Sequence, residues 1–435
     1  PGLNSLFLGN VRRYGSFDER CMMCGECILD DTGGICPITR CAKSLVNGPC
    51  GGVQDDGMCE VDGRECAWAQ IIDLLKRQGR MKKLNKYQPM KDFELSVKPG
   101  RVNLREVDQD KRAERLQVIQ VRREEKYRFS EFGLRNWQIK LEEVQTTGLT
   151  RLQRELEAGK SVTTVEIVPP KGTNVEPQLG HVEMLRDYIT AANVNENPSS
   201  VMRANSLSLC ALFVQKGIEP ILHLTTRERN RLALQSELLG ASMLGIKNVM
   251  VMTGDHQSMG DHREAKPVYD LDSVQLLRLI TELMGGKDYN GNDLDGTPKF
   301  FPGAVVNPGG KLNEMQILKM QKKALAGARF FITQAVYDLR KLEEFLQYTR
   351  NSGVYIIGGI IPLKSAKMAR YMNANIPGIQ VPEEFIERME KTSDRKVESA
   401  AIARDLAQGV RQMCNGVHLM PIGAYDLVPR ILDDK

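Results

Sequence analysis

Eight of the ten cysteines fall within the first 66 residues: Cys21, Cys24, Cys27, Cys36, Cys41, Cys50, Cys59 and Cys66. Thiolates are soft ligands, and four complete one tetrahedral zinc site or one cubane iron–sulfur cluster, so eight suffice for two. Cys21-Met-Met-Cys24-Gly-Glu-Cys27 has the spacing that wraps closely placed thiolates around one face of a cluster, and Cys36 is followed by Pro37, as in such loops. Cys41, Cys50, Cys59 and Cys66 are spaced loosely among Gly48, Gly51, Gly52, Gly57 and Gly63, whose backbones can curl around a metal or sulfide. Three readings compete: a disulfide framework, structural zinc, and one or more 4Fe–4S clusters. The N-terminus shows no signal-peptide pattern and the rest of the chain adds only Cys210 and Cys414, which argues against disulfides. The expectation is a cluster, with zinc as the alternative metal.

A second set of chemistry-bearing residues recurs further along. Glu166 lies between Val165 and Ile167 and ahead of Pro169-Pro170, a carboxylate in an apolar run. Burying such a group is costly unless it is paired or protonated. His223-Leu-Thr225, Thr253-Gly254-Asp255, Asn307-Pro308, Thr333-Gln334, Tyr337-Asp338 and Val417-His418 follow in order. Taken singly, each has a plain structural reading: a histidine satisfied in a core, an aspartate capping a helix, a glutamine bonding a loop. Taken together, they sit in or at the ends of short β-rich apolar runs.

Those runs are 163–168, 188–193, 220–225, 248–254, 303–307, 330–336, 354–361 and 417–422. Helical stretches such as 229–244, 312–326, 339–349 and 382–413 lie between them. Alternation on this scale predicts an α/β fold, a (β/α)8 TIM barrel over 149–435. An open doubly wound sheet is the runner-up, weakened because no G-x-G-x-x-G follows the first strand. Barrel chemistry sits at the carboxyl ends of the strands, so the polar residues are expected to share one site. The cysteines define a small metal-binding domain over 1–92 that closes with a helical stretch at 67–81. Residues 93–148 are charged and mixed, with a helical pattern at 136–144, and read as a linker or extended wrap.

The formal net charge is +5, and basic residues alternate with acids, as in Asp110-Lys-Arg-Ala-Glu-Arg115. With 6% aromatics and no basic stripe, nucleic-acid binding is not expected. No apolar run reaches the ~20 residues a membrane helix needs. The expectation is a soluble cytoplasmic protein without a transmembrane segment.

Five ordered segments carry a family resemblance: Val165-Glu166-Ile-Val-Pro-Pro170, His223-Leu-Thr225, Val251-Met-Thr-Gly-Asp255, Lys323-Ala-Leu-Ala-Gly-Ala328 and Phe331-Ile-Thr-Gln-Ala-Val-Tyr-Asp338. Together they resemble methylenetetrahydrofolate reductase, a flavoprotein barrel. Residues 18–92, through Asn47-Gly-Pro-Cys-Gly-Gly52 and the 59–68 segment, resemble the cysteine-rich partner found with this reductase in acetogens and related anaerobes. The resemblance implies FAD as cofactor and reduction of 5,10-methylenetetrahydrofolate to 5-methyltetrahydrofolate. It implies Glu166 as proton donor, Asp255 beside flavin and folate, and Gln334 on the pterin. His223, Thr225, Thr253, Gly254 and Lys323 fall in FAD-contacting segments, and Asn195 and Asn307 in comparable loops. Two departures stand out: Thr253 replaces an arginine common in well-known bacterial members, and the stretch after His418 lacks the Asn-Arg of NADH-using members.

A cluster domain attached to a flavin barrel implies one-electron delivery from ferredoxin or a redox partner subunit, within a homo- or hetero-oligomer. Zinc has no redox chemistry and would leave a structural or docking module. Two other readings are a pterin-dependent corrinoid methyltransferase and a non-catalytic electron-transfer or scaffold subunit. The apolar setting of Glu166 predicts a raised carboxyl pKa that keeps its proton available near neutral pH.

Overall fold

The computed structural model describes residues 24, 26–54, 56–92, 137, 150–309 and 313–433. Eight parallel strands close into a barrel in sequence order: β1 Val162–Ile167, β2 Ala191–Val194, β3 Pro220–Thr225, β4 Asn248–Met252, β5 Phe301–Val306, β6 Phe330–Ala335, β7 Tyr355–Ile360 and β8 Gly416–Leu419. Closure comes from β1 pairing with β8, with Thr164 opposite His418. The expected (β/α)8 topology is therefore present. Its strands are rich in Val, Ile, Leu and Phe because both faces of a parallel barrel are covered.

Beyond a single turn at Pro37–Arg40, the helices are α1 Ala67–Arg77 in the cysteine module, then α2 Arg151–Glu157, α3 Glu176–Met184, α4 Ser206–Gln215, α5 Arg231–Met243, α6 Ser273–Met284, α7 Asn313–Leu325, α8 Leu339–Leu346, α9 Ala366–Asn375, α10 Glu383–Lys391, α11 Arg395–Met413 and α12 Leu427–Leu432. Leu152 and Leu156 of α2 pack with Val162, Ile221, Phe301 and Phe330, a core separate from the large layer between strands and outer helices.

Several boundaries differ from the sequence expectation for local reasons. The run 188–193 becomes Ala191–Val194, because Tyr188 closes a turn on the Leu185 carbonyl at 2.9 Å. The run 248–254 stops at Met252, ahead of Gly254 at φ +84°. The stretch 382–413 divides into α10 and α11, because the Asp394 side chain accepts from the Lys396 and Val397 amides and starts a new helix. The stretch 67–81 ends at Arg77, close to Gly79 at φ +66°.

The cysteine module is docked on α6 and α7. Trp68, Ile71 and Leu75 share an apolar cluster with Met315 and Leu318 of α7. Asp272 joins the two parts. One of its oxygens caps α6 by accepting from the Val274 and Gln275 amides at 2.9 and 3.0 Å. The other accepts from the Asn47 backbone amide at 2.9 Å and from its side chain at 3.1 Å. Lys319 of α7 donates to the carbonyls of Gly48 and Pro49, and Lys322 to that of Lys86. Trp137 is buried in the outer barrel core and donates to the Tyr348 carbonyl at 2.8 Å. The rest of the 93–148 segment lies outside the described residues, including the remainder of the 136–144 helical pattern. No helix among the described residues is long and apolar enough to cross a membrane.

Loss of the α6 cap costs about 1 kcal/mol, and stranding the buried Asn47 donors costs about 1–3 kcal/mol. Asp272→Ala is expected to destabilise the protein by about 2–4 kcal/mol, read from the urea midpoint. A midpoint equal to that of the parent protein would show that this joint does not hold the module.

Candidate functional site

Side chains alternate along a strand, so Thr164 and Glu166 share one face of β1. The flanking Val165 and Ile167 pack into the outer core, which leaves Thr164 and Glu166 facing the barrel interior. Strand register then selects their neighbours: Glu166 pairs with Asn193 of β2, and Thr164 with His418 of β8. Thr164 Oγ1 lies 2.9 Å from His418 Nδ1. The other ring nitrogen, Nε2, lies 4.0 Å from Glu166 Oε2. One layer across, Asn193 Nδ2 donates to His223 Nε2 at 2.9 Å. Both histidines are buried, whereas the Glu166 side chain keeps 17% exposure.

These contacts overturn the expected direction of the Glu166 titration. Burial alone raises the carboxyl, but His418 outweighs it with help from the Asn195 amide and nearby His223, and the pKa falls below its ordinary value. Sequence reasoning counted the apolar flanks and missed the histidine brought in by barrel closure. At His223 burial prevails instead. Burial pulls it down to about 3, consistent with a neutral ring accepting from Asn193.

The other predicted residues are distributed around the carboxyl ends of the strands. Asn195 follows β2, with its Oδ1 buried and unpartnered. Thr225 ends β3 and is committed to Glu196, which accepts from its amide at 2.6 Å and its hydroxyl at 3.0 Å. Thr253 and Gly254 follow β4, where a Cβ on Gly254 would stand 3.3 Å from Thr225. Asp255 is held through its backbone carbonyl, which accepts from Arg227 at 3.0 Å and from the Tyr269 hydroxyl at 3.2 Å. Asn307 follows β5 and is tied to the Pro377 carbonyl and the Gly309 amide. Lys323 of α7 donates to the Val305 carbonyl at 2.6 Å, and burial brings its ammonium down to about 7. Gln334 sits at an irregularity in the β6–β7 pairing, its Oε1 accepting from the Ala335 amide at 3.0 Å.

Sequence reasoning did not single out Glu196, Arg227, Glu228 and Arg229, which interlock behind this rim. Arg227 is 1% exposed, pairs with Glu228 at 2.6 Å and donates to the Asn197 carbonyl; Arg229 pairs with Glu196. The run Arg227-Glu-Arg229 looks like a solvated helix face in sequence. Its position directly after the polar end of β3 was the available signal.

Of the eight N-terminal cysteines, Cys21 lies outside the described residues. Cys24 and Cys36 pack against Ile28, Ile38 and Val46, and Cys27 is exposed. Cys41, Cys50, Cys59 and Cys66 line one cavity with Lys43 and Trp68. Lys43 is buried and paired with Glu60 at 2.8 Å. No disulfide links the described cysteines. Among the described residues, no group of three or more His, Cys, Asp or Glu is gathered to hold a metal ion, so the seven described N-terminal cysteines are not gathered into the expected metal sites. Burial raises the Cys41 thiol to about 11 and the Cys66 thiol to about 12. The cavity adjoins the barrel rim. A Cβ on Gly51 would lie 3.7 Å from Asn307, and the Cys50 carbonyl accepts from Gln316 of α7 at 3.3 Å.

Residues 151–435 of this eight-stranded barrel match the family model described as methylenetetrahydrofolate reductase. The chain belongs to the methylenetetrahydrofolate reductase family. Residues 1–94 match a second model, described as methylene-tetrahydrofolate reductase C terminal, which here precedes the barrel. The reductase-family barrel is similar to a probable methylenetetrahydrofolate reductase (NADPH) of Caenorhabditis elegans, 23% identical over 65% of this chain and 43% of the relative. It is also similar to methylenetetrahydrofolate reductase 2 of Schizosaccharomyces pombe, 26% identical over 64% of this chain and 46% of the relative. The 5,10-methylenetetrahydrofolate reductase of Escherichia coli is 23% identical over 58% of this chain and 82% of the relative. The chain thus spans less than half the length of the two eukaryotic relatives.

The lowered Glu166 pKa has a sign that stability can test. Its contribution is present above the unfolded value of about 4.3 and is lost as pH falls through the folded value. The stability gap between the parent protein and Glu166→Gln is therefore expected to narrow as pH falls below about 4. Urea midpoints measured from pH 7 downward check this, and a gap that widens on acidification would reverse the sign.

Proposed function

We propose that the chain binds FAD and reduces 5,10-methylenetetrahydrofolate to 5-methyltetrahydrofolate, with electrons arriving through the cysteine module from ferredoxin or a redox partner subunit. The observation that carries this reading is the interior carboxylate Glu166, partnered by His418, in a barrel of this reductase family.

The rim has features that suit a flavin. Asn195 presents a buried oxygen without a partner, and Gly254, with φ +84° and no side chain, lets a ligand approach the backbone. Asn195, Thr253, Gly254 and Asn307 would hold the cofactor, with His223, Thr225 and Lys323 supporting those segments. Bound FAD would supply the hydride. Glu166 protonates N10 of the folate, the N10–methylene bond breaks, and a 5-iminium cation forms whose methylene carbon then accepts the hydride. Asp255 favours that cation by its charge. Gln334 offers one donor and one acceptor, which match the amide edge of a pterin once its oxygen leaves the Ala335 amide.

In the module, Cys41, Cys50, Cys59 and Cys66 would hold one cluster, with Cys21, Cys24, Cys27 and Cys36 available for a second. The four thiols line one cavity, and a cluster is the reading that gives them a redox role, since zinc has no redox chemistry. A cluster would pass single electrons. The contact of the Cys50–Gly51 segment with α7 and Asn307 supports delivery to the rim.

Glu166→Gln is expected to keep bound flavin and lose about 10²–10⁴-fold in folate reduction, because an amide cannot protonate N10. Normal single-turnover rates with chemically reduced protein would remove Glu166 from the mechanism. Cys50→Ser is expected to lower iron and acid-labile sulfide and abolish turnover with the physiological donor. Folate reduction should survive in that variant when the reductant is chemical. Unchanged donor-driven turnover would show that this cavity carries no electrons.

A further inference from the structure

We infer that His418 is the positioning partner that keeps Glu166 supplied with its proton: the pair holds one proton between Nε2 and Oε2, and Glu166 passes it to N10. This rests on the proposed folate reduction and addresses a gap in it. A carboxyl whose pKa His418 and Asn195 hold below its ordinary value is a weaker proton reservoir, and a base beside it can store the proton.

The geometry selects that group. Thr164 Oγ1 engages His418 Nδ1 at 2.9 Å, which fixes the ring and leaves Nε2 directed at Glu166, 4.0 Å away. A small rotation of the Glu166 side chain brings the two within hydrogen-bond distance. The Thr164–His418 pairing follows from the register that closes the barrel, which keeps the two side chains adjacent across the seam.

The other groups facing Glu166 do not serve. His223 uses Nε2 to accept from Asn193 and stays neutral because it is buried. Tyr425 accepts from the Val168 amide at 3.4 Å, and burial raises its phenol, so it does not release a proton near neutral pH. Arg203, whose charge reaches Tyr425, cannot be deprotonated. Asn195 is an amide. His418 is the remaining basic group facing the carboxylate among the described residues.

The cycle balances. The proton leaves His418 Nε2 for Glu166 Oε2 and then reaches N10 as the N10–methylene bond breaks. The pair ends one proton short, with neutral imidazole beside carboxylate. His418 is 2% exposed, so reloading occurs through Glu166, which retains access to the solvent side.

The test uses the full chain with flavin bound and reduced chemically, mixed with methylenetetrahydrofolate in single turnover across pH. His418→Gln keeps an amide donor near Glu166 but cannot titrate. It is expected to slow folate reduction about 100-fold and abolish the parent's pH dependence in that step, with the flavin spectrum unchanged. Thr164→Val is expected to move rate and profile the same way, and Thr164→Ser to restore both. Nitrogen-15 histidine NMR gives a readout independent of turnover. In Glu166→Gln the His418 Nε2 resonance should shift, because the carboxylate it faces is gone. Parent-like rate and pH profile in His418→Gln, or an unshifted His418 Nε2 resonance in Glu166→Gln, would overturn the inference. If His418→Gln does not fold, Thr164→Val and the NMR spectrum decide. Failure of the functional reading is distinct: the chemically reduced parent protein would then leave methylenetetrahydrofolate unreduced.

Discussion

A carboxylate inside a parallel barrel must be stabilised by neighbouring strands, because little of it reaches solvent and the strand backbones are already paired. Glu166 meets this constraint with partners from β2, β3 and β8. The strand register sets which residues those are, and closure of β8 onto β1 supplies the most important one. The polar layer around Glu166 and the barrel's closure are thus a single arrangement: Thr164 and His418 form the seam of the sheet and also flank the carboxylate. Asn193 and His223 form a second polar pair beside it. This explains why a core otherwise built of valine, isoleucine and phenylalanine tolerates so many polar side chains at one level.

The cysteine module depends on a comparable economy. Asp272 starts α6 and holds Asn47, so the helix cap and the domain joint use one carboxylate. The lysines of α7 turn inward to carbonyls of the module instead of outward to solvent. Their fixed positions keep the Cys50–Gly51 segment against the end of β5.

Much of this was legible in the sequence, and the exceptions share a cause. The positions of Glu166, Asp255 and Gln334 at strand ends follow from alternation and spacing, which are local. The helix expected over 382–413 was local too, but Asp394 competes for the same backbone and splits it. The pKa of Glu166 was misjudged because its main partner, His418, comes from the far end of the chain and meets it only through closure. Arg227 was passed over because an alternating charge run looks solvated until the fold places it behind β3. Among the cysteines, the loosely spaced four share a cavity, whereas the close triplet that drew attention in sequence includes Cys21, which lies outside the described residues. Sequence spacing reports how a loop can wrap a metal, not which distant loops converge.

The central claim is that this chain is a flavin-bearing reductase of a folate whose methylene group becomes a methyl group inside the Glu166 barrel. The most direct measurement is anaerobic: load the full chain with FAD, reduce it chemically, remove excess reductant, and add 5,10-methylenetetrahydrofolate. The account predicts flavin reoxidation with 5-methyltetrahydrofolate formed in proportion to the flavin reoxidised. A protein that binds no flavin, or whose reduced flavin is indifferent to the folate, would contradict it.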